Sequence, residues 1–493
     1  MIGLPEGLLP RLRGALGHGN VTTDPAELDY YSRDMSYRPF TAAAAVARPG
    51  TADEVTTTVE LCHAAETPVV ARGGGMTYTG AYAPAREGTV LIDMSRLDRI
   101  VEVNEQDLYV TVECGCTWER LYLDLRERGL RTPFAGTSSG RYATVGGTLS
   151  TNGVFMGCSR YGSAADSVIG LDVVLAGGIP IRTGSGAHRD GLPFFRYLGP
   201  DLSGIFLADT GAFGVKTSAT LKLIPIPEFS TSFSISFDSF AASIDAMADM
   251  APLGLASEIY SLDPRYHRAL VDFGFSFMEG IEWSIHGTVE AADEQSAQAG
   301  AALLAEIGRR HGQELDPTFP ATVREDPFDG VRWALLNRDG QIWMPTHGIV
   351  PFSRAHETAS EVQALLDREA ETLESFGITT SYQSVVVGPH WIFEVAFYWA
   401  DEVGRFRLEK IDPSEAERFA SIPADLEVRR EGLRLRREAS DIFARLGAVQ
   451  LQIGRYYDFE SVLQPSTWDA LGAIKHALDP QGLVNPGSLG LGR

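Results

Sequence analysis

No run of apolar residues in the sequence approaches the ~20 that a membrane-spanning helix requires. A transmembrane anchor is therefore not expected. Only four cysteines occur in 493 residues: Cys62, Cys114, Cys116 and Cys158. They are too few to staple a chain of this length, which suits a reducing compartment. Cys114 and Cys116 fall on one face of an expected strand, with no further ligands spaced for zinc. Positive charge is also scarce, with 42 Lys and Arg against 65 Asp and Glu and a formal net charge of −23. Such a field repels nucleic-acid backbones and anionic bilayers, so neither is an expected partner. The opening segment MIGLPEGLLPRLRGALGHGN lacks the basic start, long apolar stretch and cleavage site of a secretory signal. A cytoplasmic location is the expectation. GxGxxG and Walker A motifs are missing, which argues against a Rossmann NAD site and a nucleotide hydrolase. The ten histidines include no HExxH, and no metal centre is expected.

What is present is a patterned, apolar-rich chain. At 44% hydrophobic residues and this length, two or three domains with a sizeable core are expected. Residues 42–224 alternate short β-like runs, helices and glycines. Thr51-Ala52-Asp53-Glu54 reads as a capping box, followed by Val55, Val59 and Cys62 at helical spacing. Val69-Val70-Ala71 and Leu91-Ile92-Asp93 read as short strands, and residues 108–113 alternate with period two. Thr117 caps a helix that turns Leu121 and Leu125 inward. Pro225-Ile226-Pro227 interrupts both helix and strand and marks a boundary. Beyond it, strands are expected over residues 232–237, 283–287 and 392–399, with helices over 241–250 and 294–310. This pattern predicts an α+β protein in which an antiparallel sheet carries covering helices. The charged stretch 412–445 reads as surface helices broken at Pro423.

Four glycine-rich blocks carry the chemistry. The first, Arg72-Gly73-Gly74-Gly75-Met76-Thr77-Tyr78-Thr79-Gly80, follows a strand and can turn several N–H groups toward a pyrophosphate. The second runs Thr144-Val145-Gly146-Gly147-Thr148-Leu149-Ser150-Thr151-Asn152-Gly153 and on to Ser159-Arg160-Tyr161-Gly162. The third is Asp209-Thr210-Gly211-Ala212-Phe213-Gly214-Val215-Lys216-Thr217, and the fourth is Leu478-Asp479-Pro480-Gln481-Gly482-Leu483-Val484-Asn485-Pro486-Gly487. Gly136-Thr137-Ser138-Ser139-Gly140 also matches a nucleophile elbow, but Pro133 and Phe134 stand where its strand should be.

In this order and spacing the blocks resemble the FAD-binding domain of the vanillyl-alcohol oxidase/p-cresol methylhydroxylase superfamily, over nearly the whole chain. The pattern is nearest to 4-phenol oxidases and glycolate-oxidase-type subunits. The resemblance implies a two-subdomain FAD-binding domain over residues 1–227, a substrate (cap) domain over 228–440, and a segment 441–493 returning to the first. It implies that Arg72, Gly73, Gly74, Gly75, Met76, Thr77 and Tyr78 hold the FAD pyrophosphate. Thr144, Gly146, Gly147, Thr151 and Asn152 would line the flavin. Gly214, Val215 and Thr217 would meet the cofactor through main-chain contacts, and Asn485 would close the site. Relatives that link FAD covalently carry a histidine where this chain has Met76, or a cysteine where it has Tyr142. Dissociable FAD is thus implied, with His390 the remaining candidate linker.

The same likeness places Arg455, Tyr456 and Tyr457 at the position of a phenolate-stabilising tyrosine–arginine pair. Arginine there could hold any anionic oxygen. Tyr78 or Tyr82 could approach from the flavin side. The catalytic aspartate of 4-phenol oxidases is replaced by Ser163, which leaves His390 as the candidate base. Hydride transfer to FAD from a para-hydroxylated aromatic alcohol or alkylphenol is the first expectation, in keeping with Trp333, Trp343, Trp391 and Trp399. The alternatives are a D-2-hydroxy-acid dehydrogenase with Arg455 on the carboxylate, and a redox-silent alkylglycerone-phosphate-synthase-like flavoprotein. The implied partners are a small-molecule substrate, an electron acceptor (oxygen or a redox carrier protein) and a second copy in a homodimer.

Overall fold

The computed structural model describes residues 3–37, 41–328, 330, 340–411 and 413–492. Trp333 and Asp412, named above, lie outside the described residues.

Local signals build the first half. Thr51 accepts from the Glu54 N–H and caps the helix Ala52–Ala64, while the Glu54 carboxylate reaches back to the Gly50 N–H at 2.6 Å. Val55, Val59 and Cys62 turn inward on that helix. It is the crossover that parallel neighbours need. Strands β1 (Val21–Thr22), β2 (Ala45–Ala47), β3 (Val69–Arg72) and β4 (Val90–Asp93) form one sheet in the order β1-β2-β4-β3, with β2, β4 and β3 parallel. Strands β5 (Ile100–Asn104), β6 (Tyr109–Glu113), β8 (Val168–Leu175), β9 (Ile179–Arg182) and β10 (Val215–Lys222) form an antiparallel sheet in the order β5-β6-β10-β8-β9. Short β7 (Leu130–Arg131) pairs with β11 (Ile224–Pro225). Cys114 and Cys116 correct the sequence reading. They follow the end of β6, where the Cys114 and Gly115 N–H groups bond to the Thr217 and Leu97 carbonyls. Those backbone bonds end the strand, so the two thiols share no strand face.

The second half is one antiparallel sheet of seven strands. These are β12 (Phe229–Phe237), β13 (Ala256–Leu262), β14 (Trp283–Ala291), β15 (Gln313–Leu315), β16 (Gln341–Pro351), β17 (Thr379–Val387) and β18 (His390–Ala400), in the order β15-β12-β14-β13-β17-β18-β16. Period-two alternation gives the sheet two unlike faces. Ile342, Met344, Trp391, Phe393, Val395, Phe397 and Trp399 join the main core with the helices Phe240–Met250, Glu294–Arg309, Ala355–Arg368 and Leu426–Arg445. The opposite face turns toward the first half. The helix Leu426–Arg445 is thus only partly the solvated face its charges suggest, since Arg436 on it is fully buried.

The chain returns at its end to the first half. Val69 and Val484 form a parallel bridge, with the Val69 N–H on the Leu483 carbonyl at 2.9 Å and the Asn485 N–H on the Val69 carbonyl at 2.8 Å. Across the seam between halves, Arg131 and Arg324 both pair with the buried Glu290 carboxylate, and Arg324 also reaches Glu258 at 3.5 Å. Removing the shared acid leaves the buried Arg131 guanidinium without a carboxylate and Arg324 with Glu258 alone. Glu290→Ala is therefore expected to destabilise the protein by about 3–5 kcal/mol, read as a lower urea midpoint. An unchanged midpoint would show that the network contributes nothing to stability.

Candidate functional site

The first glycine block leaves β3 directly above a buried cation. Arg72 donates to the Arg33 carbonyl at 3.2 Å, and its guanidinium lies over the rings of Phe406 (4.9 Å) and Tyr31 (5.3 Å). Burial holds its pKa below the usual arginine value. The Asp34 carboxylate ties the far end of the loop, accepting from Thr77 Oγ1 at 2.9 Å and the Gly80 N–H at 2.8 Å. Between these anchors the N–H groups of residues 73–76 find no acceptor among the described residues. A stretch of unspent backbone donors over a buried guanidinium suits a pyrophosphate. Gly74 packs so tightly on the second block that a Cβ there would overlap the Tyr142 carbonyl oxygen. Gly75 has φ +69°, and its Cβ would overlap the Arg72 guanidinium and the Phe406 ring.

The second block forms a helix that glycine content hid from the sequence reading. Thr144 Oγ1 accepts from the Gly147 N–H and starts the helix Val145–Thr151, which Asn152 ends in the left-handed conformation. Both blocks open onto one cavity of about 550 Å³ between the halves. Gly73, Gly74, Gly75, Met76, Thr77, Tyr78, Thr144, Gly147 and Thr151 line it. The loops fit FAD: bare backbone donors for its phosphates, and an apolar-walled space for its ring.

The cap closes this cavity with a row of side chains read straight across four strands. His347 on β16 faces Glu394 on β18, which faces Gln383 on β17, and Leu262 on β13 follows. Directly opposed residues of an antiparallel pair have Cβ atoms about 4.5–5.5 Å apart. The row therefore grades from polar to apolar. At its polar end the Tyr78 hydroxyl lies 3.3 Å from His347 Nδ1 and accepts from Gln452 Nε2 at 3.3 Å. His347 Nε2, Glu394 Oε1, Gln452 Oε1 and Trp343 Nε1 are buried without hydrogen-bond partners, and all four residues line the cavity. Such groups are costly unless a ligand completes them. Burial, helped by the nearby Arg436 charge, pushes the His347 pKa down to about 4. Burial pushes the Glu394 pKa up to about 8, against the pull of Arg436. Near pH 7 the imidazole is neutral and the carboxyl holds its proton.

Arg436 stands behind this end. Its Nε donates to the Pro345 carbonyl at 2.7 Å and Nη2 to the Tyr78 carbonyl at 2.8 Å, while Nη1 has no partner. No carboxylate lies within ion-pair distance of it among the described residues.

Several sequence candidates are brought elsewhere. His390 sits exposed at the start of β18, outside the cavity lining, because the strand turns there toward solvent. Arg455 is engaged by main chain: it donates to the Gly80 and Ala83 carbonyls at 2.6 and 2.8 Å, to the Pro486 carbonyl at 2.9 Å, and to Asn485 Oδ1. It fastens the C-terminal segment to the glycine loop. Tyr456 lies against Arg436 at 3.8 Å, and Tyr457 Oη contacts Thr346 Oγ1 at 3.2 Å, both behind the cavity wall. Asn485 donates to the Ala81 and Thr210 carbonyls at 3.0 and 2.7 Å and so joins three glycine blocks from beneath. Gly146 packs on Cys114, Gly214 packs on Val173, and Val215 and Thr217 lie within β10, outside the lining. Asn152 accepts from the Ala165 N–H at 3.1 Å and borders a second, smaller cavity. Of the three described tryptophans named above, Trp391 and Trp399 face the helical core, and Trp343 alone reaches the cavity. Residues 136–140 form a turn with no strand before it, so no nucleophile elbow is present.

Comparison with known proteins agrees with this geometry. A family model described as an FAD-binding domain matches residues 43–184. The chain is 24% identical to a probable mitochondrial D-lactate dehydrogenase of Danio rerio, over 98% of this chain and 92% of that protein. It is 30% identical to glycolate oxidase subunit GlcD of Bacillus subtilis (strain 168), an alignment that spans 45% of this chain and 45% of the subunit. Among solved structures, substrate-bound p-cresol methylhydroxylase superposes with a TM-score of 0.76 at 18% identity, covering 99% of this chain and 98% of that one. An FAD-binding domain over residues 43–184, the fold shared with p-cresol methylhydroxylase, and a cavity that joins the glycine loops to a cap sheet identify the chain as an FAD-dependent oxidoreductase.

Proposed function

We propose that the protein oxidises a D-2-hydroxy acid to the 2-oxo acid. The observation that carries this reading is Arg436, a fully buried guanidinium with no paired carboxylate, which stands behind the cavity wall and acts on the site through its charge, beside a Glu394 that holds its proton near pH 7. An uncompensated buried cation favours an anionic ligand. The relatives named as acting on D-lactate and glycolate support the same choice over the aromatic alcohol expected from motif likeness. The positive charge assigned to Arg455 passes to Arg436.

Residues 73–78, Thr144 and Gly147 would hold FAD, which when bound would supply the acceptor for the hydride at the substrate C2. His347, in the tautomer with its proton on Nδ1, presents Nε2 to accept the substrate hydroxyl proton. The protonated Glu394 donates to the substrate carboxylate, and the second Nε2 hydrogen of Gln452, beyond the one on Tyr78 Oη, adds a donor. Dissociable FAD is part of this reading, since Met76 and Tyr142 stand where linked relatives carry histidine or cysteine, the Tyr142 hydroxyl donates to the Lys410 carbonyl at 3.2 Å, and His390 stands outside the cavity. Acid precipitation is expected to leave the flavin in the supernatant.

Anaerobic addition of D-lactate is expected to bleach the flavin, and a 4-hydroxybenzyl alcohol is not. The pH dependence gives an independent sign. Glu394 has its pKa raised, so the neutral form that tolerates an anion prevails below about 8. Above that pH its carboxylate neutralises Arg436 and repels the substrate, and KM climbs about tenfold per pH unit. Glu394→Gln flattens that rise. A KM independent of pH between 7 and 9.5, with bleaching by the benzylic alcohol, would overturn the reading in favour of the neutral aromatic substrate.

A further inference from the structure

The cavity continues well past the groups that a small hydroxy acid could use. Beyond Leu262 on the cross-strand row it opens into a lobe walled by Tyr260 of β13, Leu270 of the helix Pro264–Asp272, Phe275, Phe319 and Val323 of the helix Thr318–Glu325, and Phe155 from the first half. These side chains form an apolar cluster of their own, separate from the cap core on the sheet's other face. Their rings pack edge to face, Phe275 on Phe319 at 5.3 Å and Tyr260 on Phe319 at 6.3 Å, and the packed wall they form borders the open cavity. The lobe also holds one unspent polar group: the Tyr260 hydroxyl is buried without a partner, and burial beside Glu258 keeps its proton firmly in place. The neighbouring buried groups behind Tyr260 are already paired. His286 Nε2 and His267 Nε2 each lie 2.7 Å from Ser284 Oγ, and His286 Nδ1 lies 2.8 Å from Ser234 Oγ. Rigid backing of this kind keeps the lobe open.

We infer that the C2 substituent of the substrate is large and apolar, an aryl or medium-chain alkyl group seated in this lobe. The inference rests on the hydroxy-acid reading above and deepens it. Carboxylate and hydroxyl are held at the His347–Glu394 end, and the C2 side chain runs along Ile392 and Val385 toward Tyr260. Those two residues are adjacent cross-strand partners on the lining face, and Val385 is in turn the partner of Tyr260. They form an apolar floor one rung from the polar row. Each methylene buried in such a lobe is worth about 0.8 kcal/mol, or roughly fourfold in kcat/KM. D-lactate, with a single methyl, leaves the lobe empty.

The test compares D-lactate, D-2-hydroxyhexanoate and D-3-phenyllactate with the FAD-loaded protein, by anaerobic flavin bleaching and by steady-state kcat/KM. The expected result is a rise of about 50-fold or more from D-lactate to the hexanoate, with the phenyl acid at least as good. Val323→Phe, which fills the lobe from a partly exposed helix position, is expected to cut the phenyllactate-to-lactate ratio at least tenfold. If that variant fails to fold, competition by 3-phenylpropionate against propionate on the unaltered protein reports the same lobe, with the phenyl acid binding at least tenfold tighter. D-lactate turned over as well as or better than the larger acids overturns the lobe assignment and leaves the hydroxy-acid reading standing. Bleaching by none of the acids overturns both.

Discussion

Replacing Gly74 by alanine is expected to give a colourless protein whose affinity for FAD is at least a hundredfold lower. The methyl group would overlap the Tyr142 carbonyl oxygen, which belongs to a main chain held on its other side by the Tyr142 and Ala143 N–H bonds to the Ser139 carbonyl. Backbone cannot rotate aside as a flexible side chain can. The loop must lift, and its free N–H groups then no longer converge on one point. Charge-assisted bonds to an anion depend steeply on that geometry. The measurement is fluorescence titration of apoprotein with FAD, with the melting temperature followed as FAD is raised. Ligand binding to the native state raises stability by RT ln(1 + [L]/Kd), so the wild type gains with added FAD and the variant does not. Gly88, whose surroundings are open, is the control, and Gly88→Asn is expected to bind FAD normally. Wild-type affinity in Gly74→Ala would show that residues 73–76 do not hold the pyrophosphate.

The contrast between legible and hidden features follows from the range of the interactions involved. Capping by Thr51 and Thr117 and the interruption at residues 225–227 are contacts within a few residues, and the sequence shows them. The first glycine block is visible too as a loop leaving a strand, since three consecutive glycines follow β3 directly. The helix Val145–Thr151 is not, since Gly146 and Gly147 lower helix propensity, and the helix there relies on the Thr144 cap and on packing against Cys114. The cavity's polar end lay hidden for a deeper reason. His347, Glu394 and Gln452 stand 47 and 58 residues apart in sequence, and only strand pairing and the return of the chain bring them together. A signal existed: Glu394 is a carboxylate in an otherwise apolar strand, where an unpaired charge is rarely placed without a use. The motif likeness drew attention to His390 instead, four residues earlier on the same strand and the same side, yet beyond the cavity's edge. Arg455 and Arg436 exchanged parts for a similar reason. Both are arginines near the cavity, and they differ in their bonds: Arg455 spends its guanidinium on carbonyls, whereas Arg436 keeps Nη1 unpaired.

Substituting His347 by alanine is expected to lower kcat by two to four orders of magnitude while leaving the flavin spectrum and FAD affinity unchanged. The magnitude is that of removing a positioned proton acceptor. The imidazole suits the task because burial keeps it neutral down to about pH 4, so that its lone pair is available throughout the physiological range. A purely supporting role, in which His347 only steadies the Tyr78 hydroxyl, makes a different prediction. Tyr78→Phe removes that hydroxyl and its contacts with His347 and Gln452. If support were the whole role, Tyr78→Phe and His347→Ala would cost the same. With His347 as the acceptor, Tyr78→Phe costs about tenfold or less, because Nε2 remains free to take the proton. The pH profile separates them further: transfer of the hydroxyl proton to solvent makes kcat of His347→Ala rise with hydroxide concentration, and Tyr78→Phe keeps the wild-type profile. Equal losses and parallel profiles in the two variants would remove His347 from the proton's path.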